Sequence, residues 1–195
     1  MKLERSFYTR QDVVQIAREL IGKVVYTKFN DEITAGIIIE TEAYEGVTDR
    51  ASHAYGNRRT SRTEVMYASG GVAYVYLCYG VHSLFNIVTN KQGTPHAVLI
   101  RGIYPLEGLD VMKKRADRPY LRKGSGSGPG KVSKLLGIHY SHSGADLLGD
   151  DIWLEDNGFV FNGQILSGTR IGVNYAGKDA LLPYRFWIPE ERMKL

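Results

Sequence analysis

The sequence is short of several things, and each shortage removes a class of protein. Its single cysteine, Cys78, cannot close an intramolecular disulfide, which fits a reducing compartment; inside an apolar stretch it reads as a buried small hydrophobe. No apolar run approaches the roughly 18 residues of a membrane-spanning helix, and the N-terminal residues have neither the basic head nor the apolar core of a signal peptide. A cytoplasmic protein without membrane contact is expected. The histidines are scattered and no Cys/His cluster is present, so no structural zinc site is expected. No internal repeat and no domain linker divides the chain, and 195 residues suit one sizeable domain better than two. The glycine-rich stretch Gly124–Lys131 is not a nucleotide P-loop, because Val132 stands where that motif needs Ser or Thr and no strand precedes it.

What is present is ordinary in amount and uneven in placement. Hydrophobic residues make up 43% and charged residues 24%, which excludes a disordered chain. The net charge of +4 and the pI of about 9.1 hint only mildly at a polyanionic partner. Lys113, Lys114, Arg115, Arg118, Arg122, Lys123, Lys131 and Lys134 face only Asp117 in the same segment, whereas residues 139–168 hold five acids and no Lys or Arg. Such segregation suits a phosphate-facing surface as well as a solvated one.

Chemistry concentrates between Gly36 and Arg101. Gly36 to Tyr44 reads as a β-branched strand that turns polar at its end, with alternation placing Ile38, Glu40, Glu42 and Tyr44 on one face. A carboxylate beside a tyrosine there can act as a general base if partial burial raises its pKa, and it can equally be a solvated strand end. Tyr74 and Tyr76 share a face of the next strand, and Gly80 invites a turn that leaves Tyr79 near a hairpin tip. Aromatic faces of this kind pack in cores or stack on bases. Residues 46–63 read as a long loop carrying Asp49, His53 and several arginines, and Arg101 closes an apolar strand where arginines commonly hold anions or acids.

Around this stretch the pattern predicts a first helix over Thr9–Leu20 with Thr9 as N-cap, strands over Lys23–Lys28 and Thr34–Tyr44, and further strands over Phe85–Thr89 and Ala97–Ile103. Helices are predicted over Leu106–Ala116 and Val132–Leu136. Late strands are predicted at Ile152–Leu154, Arg170–Val173 and Tyr184–Ile188.

Taken together, Glu40-Thr41-Glu42-Ala43-Tyr44, His53, Tyr74-Val75-Tyr76 with Tyr79-Gly80, Asn86, Leu99-Ile100-Arg101, Pro105-Leu106-Glu107-Gly108, Gly128-Pro129-Gly130-Lys131 and Arg170-Ile171-Gly172-Val173 resemble the alkyladenine (3-methyladenine) DNA glycosylase family of the mammalian type. The resemblance runs from about Leu20 to Ile188 and departs from mammalian members around Val81-His82-Ser83. It implies an α+β fold: a single compact domain over residues 1–195 with a curved, mostly antiparallel β-sheet, flanking helices and a protruding β-hairpin. It also implies a nucleoid-associated bacterial member, monomeric and without cofactor or metal, whose partner is double-stranded DNA carrying a damaged purine.

The activity implied is that of a monofunctional glycosylase, which flips an alkylated or deaminated purine from the duplex and hydrolyses its N-glycosidic bond. By position, the resemblance makes Glu42 the general base, with Arg101 and the Ile171 carbonyl helping to hold its water. Tyr44, His53, Tyr76 and Asn86 would line the base pocket, Tyr79 would intercalate, and Lys131, Thr60 and Met66 would meet DNA phosphates. Two rivals stay open. One is a catalytically silent damaged-DNA-binding protein; the other is a sugar hydrolase using Glu40 and Glu42, since same-face strand neighbours lie roughly 7 Å apart.

Overall fold

A computed structural model describes residues 1–159, 161 and 163–192, so the last three residues of the expected domain lie outside it. Among these residues eight strands form one curled sheet: β1 (Val24–Phe29), β2 (Glu32–Tyr44), β3 (Val72–Cys78), β4 (His82–Thr89), β5 (His96–Glu107), β6 (Ile152–Glu155), β7 (Leu166–Gly168) and β8 (Arg185–Trp187). The main path runs β3-β4-β5-β2-β1-β6, and every pairing is antiparallel. β2 is the spine. Its first half pairs with β1 and its second half with β8 along one edge, while β5 follows the other edge throughout.

Among the described residues four α-helices accompany the sheet: α1 (Arg5–Tyr8), α2 (Val13–Glu19), α3 (Leu109–Ala116) and α4 (Pro129–Leu136). Val13, Ile16 and Ala17 of α2, Met112 of α3 and Val132, Leu135 and Leu136 of α4 share one buried cluster with Ala73, Val75, Val98 and Ile100 of the sheet. These helices therefore cover one face. Each fully buried aliphatic side chain contributes about 1.5–3 kcal/mol. Tyr74, on the opposite face of β3, packs instead with Ala54, Met66, Tyr67, Val88 and Ala97 under the loop that follows β2.

β2 does not keep the simple alternation expected of it. Its register against β5 shifts between Ile38, Glu40 and Thr41, opposite Gly102, and both Ile38 and Ile39 join the helix-side core. A bulge of this kind inserts one extra residue and re-aims the side chains beyond it. Past this point Thr41 turns to the helices, its Oγ1 donating to the Ala17 carbonyl at 2.8 Å. Glu40, Glu42 and Tyr44 turn to the other face, so Ile38 does not share their side.

Other boundaries move for identifiable reasons. The first long helix starts at Val13, because Asp12 accepts the Gln15 N–H at 2.8 Å and is its N-cap; Thr9 instead ends the short α1. Leu106 and Glu107 stay in β5, and α3 begins only after Gly108, whose φ of 70° suits glycine and where a Cβ would come within 2.2 Å of the Ile33 carbonyl oxygen. Arg170–Val173 is not a strand; β7 lies just before it, at Leu166–Gly168. Cys78 is half-buried rather than part of the core. Among the described residues no helix is long and apolar enough to cross a membrane.

Candidate active site

Beyond its bulge, β2 carries a buried carboxylate to the sheet face away from the helices. Glu42 is fully buried. Its Oε1 accepts the Ile171 backbone N–H at 2.7 Å, its Oε2 accepts the Tyr44 hydroxyl at 2.7 Å, and Arg101 Nε lies 3.4 Å from Oε1. The Arg101 contact is too long for a strong hydrogen bond, so Oε1 holds one such bond where a carboxylate oxygen has room for two. Burial raises the Glu42 pKa above the ordinary carboxylate value, against the opposing pull of Arg101, the Ile171 amide and Tyr44. A base buried but not fully tied down is what proton abstraction at neutral pH requires.

Arg101, Tyr44 and Ile171, the partners of Glu42, line a cavity of about 230 Å³ together with His53, Tyr74, Tyr76 and Asn86. The volume is below the roughly 300–1,000 Å³ typical of pockets for drug-sized ligands and suits one flat ring system. Tyr76 stands beside Tyr74, ring centroids 5.5 Å apart, and the His53 ring meets Tyr76 edge-on at 4.7 Å. His53 Nδ1 is 2.8 Å from the Tyr74 hydroxyl, which leaves Nε2 for a ligand. Burial, with help from Arg62 and Arg58, lowers the His53 pKa to about 4, so the ring is neutral at physiological pH and can hydrogen-bond without carrying charge. Asn86 is buried, and its amide nitrogen donates to the Tyr74 and Leu84 carbonyls at 3.1 and 3.2 Å. That pins it as a rigid wall.

The pocket's second loop is clamped by an ion pair that the sequence did not reveal. Arg170 and Asp49 are both almost fully buried; the guanidinium makes two hydrogen bonds to the carboxylate and others to the Ala43 and Asp179 carbonyls. Its charge also lies 4.9 Å from the Tyr44 ring centroid. This clamp fixes the segment whose next residue, Ile171, holds Glu42.

At the pocket rim the β3–β4 hairpin turns through Tyr79 and Gly80, with φ of 51° and 70°, and leaves Tyr79 94% exposed. Lys131 lies apart from the pocket, in a second cavity of about 440 Å³ that Arg118, Arg122, Lys123 and Lys134 also line. Thr60 is exposed on the long loop, and its N–H donates to Thr63 Oγ1 at 2.8 Å. Met66 does not fit the phosphate role expected of it. Its side chain is 1% exposed and packs beneath the pocket, and its N–H donates to the Thr63 carbonyl at 2.9 Å.

Sequence reasoning singled out Glu42, Arg101, Ile171, Tyr44, His53, Tyr76 and Asn86, and the fold brings all of them together. It missed the Ile171 amide as a donor, the Arg170–Asp49 clamp, and Tyr175, which also lines the pocket and whose hydroxyl donates to the Ala51 carbonyl at 3.1 Å. No local pattern announces these contacts, because each joins segments more than 120 residues apart.

A buried carboxylate behind an aromatic pocket, a projecting aromatic hairpin and a separate basic cavity are the features that set this face of the sheet apart. The chain belongs to the methylpurine-DNA glycosylase family, whose model matches residues 6–192. Similar proteins include one from Chlamydia abortus, 45% identical over 94% of this chain and 96% of its own length, and one from Chlamydia felis, 42% identical over 98% of each. A third, from Clostridium novyi, is 38% identical over 98% of this chain and 96% of its own. All three bear the name "Putative 3-methyladenine DNA glycosylase".

Proposed function

We propose that this protein is a monofunctional purine-DNA glycosylase that starts base excision repair. It accepts an alkylated or deaminated purine nucleotide flipped from duplex DNA (3-methyladenine, 7-methylguanine, hypoxanthine or ethenoadenine) and hydrolyses its N-glycosidic bond. The observation that carries this reading is Glu42: a fully buried carboxylate with a raised pKa, whose partners form the wall of an aromatic pocket sized for one ring system.

In the reaction a water held by Arg101 and the Ile171 carbonyl gives its proton to Glu42 as its oxygen attacks the anomeric carbon. The glycosidic bond breaks and its electron pair leaves with the base. An alkylated, cationic purine becomes neutral as it departs, so it is a good leaving group, while a neutral lesion such as hypoxanthine must be protonated on the way. Tyr44 and Tyr76 supply electron-rich faces that favour the cationic base. Asn86, held rigid, disfavours the exocyclic amine of normal guanine. Extrusion costs a few kcal/mol, less at a damaged or mispaired base, and Tyr79 fills the gap as an aromatic wedge. Among the described residues no lysine lines the pocket, in keeping with hydrolysis rather than a Schiff-base lyase step. A monomer suffices for these roles.

The test is alkali-revealed cleavage of a duplex carrying one hypoxanthine or ethenoadenine, with free-base release from methylated DNA, for wild type and Glu42→Gln. Release by wild type, with no strand break before alkali, is the expected result. Binding to damaged duplex without release from any lesion would replace the enzyme with a damage-binding protein.

The basic cavity extends the reading to the DNA backbone. Lys131→Ala is expected to weaken binding to damaged and undamaged duplexes alike and to reduce the slope of log K against log salt by about 0.9, one phosphate's worth. A loss confined to lesion-containing duplex would remove Lys131 from the backbone contact.

A further inference from the structure

Glu42 is not the only carboxylate on the pocket side of β2, and the proposed mechanism gives the other no task. Glu40 Oε1 accepts Arg101 Nε at 3.2 Å and Arg185 Nε at 2.7 Å. Arg101 Nε is thus shared between Glu40 and Glu42, at 3.2 and 3.4 Å. Arg185 comes from β8, which pairs with β2 at this point, and its guanidinium lies 4.4 Å from the Trp187 ring centroid. The Glu40 side chain is only 16% exposed and Arg101 only 12%, so solvent screens this shared contact weakly.

From this geometry we infer that Glu40, anchored by Arg185, is a positioning residue: it draws Arg101 part of the way off Glu42, so that Glu42 keeps its basicity and Arg101 stays placed for water. The inference rests on the proposed glycosylase reading. Without the charge on Glu40, Arg101 is free to close on Glu42 as a tight ion pair. A carboxylate so paired is a weaker base.

The groups facing Glu42 fix the sign of the effect. Arg101 from β5, the Ile171 amide and the Tyr44 hydroxyl favour its ionised form, while Glu40 on the same strand opposes it. Arg170 and Tyr175 lie further out on the segment that holds Ile171, and Arg185 on β8 faces Glu40. Removing the Glu40 charge therefore lowers the Glu42 pKa twice over, by losing a repulsion and by tightening the Arg101 pair. The low-pH limb of the rate profile moves to lower pH while the plateau falls.

The experiment is single-turnover base release as a function of pH for wild type, Glu40→Gln, Arg185→Gln, Arg101→Gln and the Glu40→Gln/Arg101→Gln double variant. Glu40→Gln is expected to lower the plateau about tenfold and move the low-pH midpoint downward. Arg185→Gln leaves Glu40 charged and removes the cation that competes for its Oε1, so Arg101 should be drawn further from Glu42 and the midpoint should move upward, the opposite sign, which keeps the test available if one variant folds poorly. In the Arg101→Gln background, adding Glu40→Gln should cost less than about twofold, since the residue it acts through is gone. An unchanged plateau and midpoint would overturn the inference, as would full additivity with Arg101→Gln. Loss as complete as in Glu42→Gln would also overturn it and make Glu40 a reacting carboxylate. A wild type that releases no base brings down the glycosylase reading itself; the other failures leave that reading standing.

Discussion

Glu42→Gln is expected to lower base release by about 10²–10⁴-fold, the usual contribution of a positioned general base. The amide is nearly isosteric and keeps an oxygen for the Ile171 N–H, so duplex binding should survive. The proposed mechanism makes the carboxylate the reacting form, and burial raises its pKa, so wild-type rate should fall as pH drops through a midpoint above the ordinary 4.5. His53, held neutral down to about 4, should add no step near pH 6.5. The same substitution should make the protein more stable at neutral pH. A carboxyl whose pKa is raised on folding stabilises the fold fully only below its unfolded pKa, and that contribution is lost as pH rises through the folded value. Glutamine, standing in for the protonated acid, avoids that loss. Thermal melts should therefore show a higher Tm for the variant at pH 7, with the gap shrinking towards pH 4. A lower Tm at pH 7 would mean that Arg101 and the other two donors outweigh the cost of burial.

Arg170→Met is expected to cost the most stability of any single substitution at the site. Removing one member of a fully desolvated pair leaves the other charge buried without a partner, at about 3–5 kcal/mol. At about 2–4 °C per kcal/mol for a chain of this length, Tm should fall by roughly 10 °C. Arg170→Met/Asp49→Leu should recover much of the loss, since neither charge then remains. Base release should fall even where the variant is folded, because Ile171 loses the clamp that sets its amide against Glu42. A Tm within about 2 °C of wild type would show that water reaches Asp49 and that the pair is not structural.

How much of the fold and site was legible in the sequence depends on the range of the interactions. The strands of β2, β3 and β5 announced themselves through β-branched and aromatic runs, and the tyrosine face of β3 followed from period-two alternation alone. Residues of the pocket that lie on those strands were within reach of the sequence. Arg170–Val173 was not: its apolar residues read as a strand, but the Ile171 N–H goes to the Glu42 carboxylate rather than to a ladder. Met66 failed for the opposite reason, since nothing local distinguishes a loop residue at the surface from one folded under the pocket. Asp12 outcompeted Thr9 as a cap because its carboxylate reaches the Gln15 amide, and Thr9 is already committed to closing α1.

The register shift in β2 bears on more than the placement of one isoleucine. Viewed as a signal, the strand is two alternating waves half a period apart: one sorts Ile37 from Ile38 between two apolar layers, the other sorts Thr41 and Ala43 from Glu42 and Tyr44 between helix and pocket. The bulge is the splice where the phase slips. An unbroken wave would force a choice, with either Ile38 facing the pocket or Glu42 facing α2. Transplanting the Glu-Thr-Glu-Ala-Tyr motif into a regular strand of another sheet would therefore not transplant the site. The extra residue upstream, which touches nothing in the pocket, decides which side of the sheet the chemistry is on.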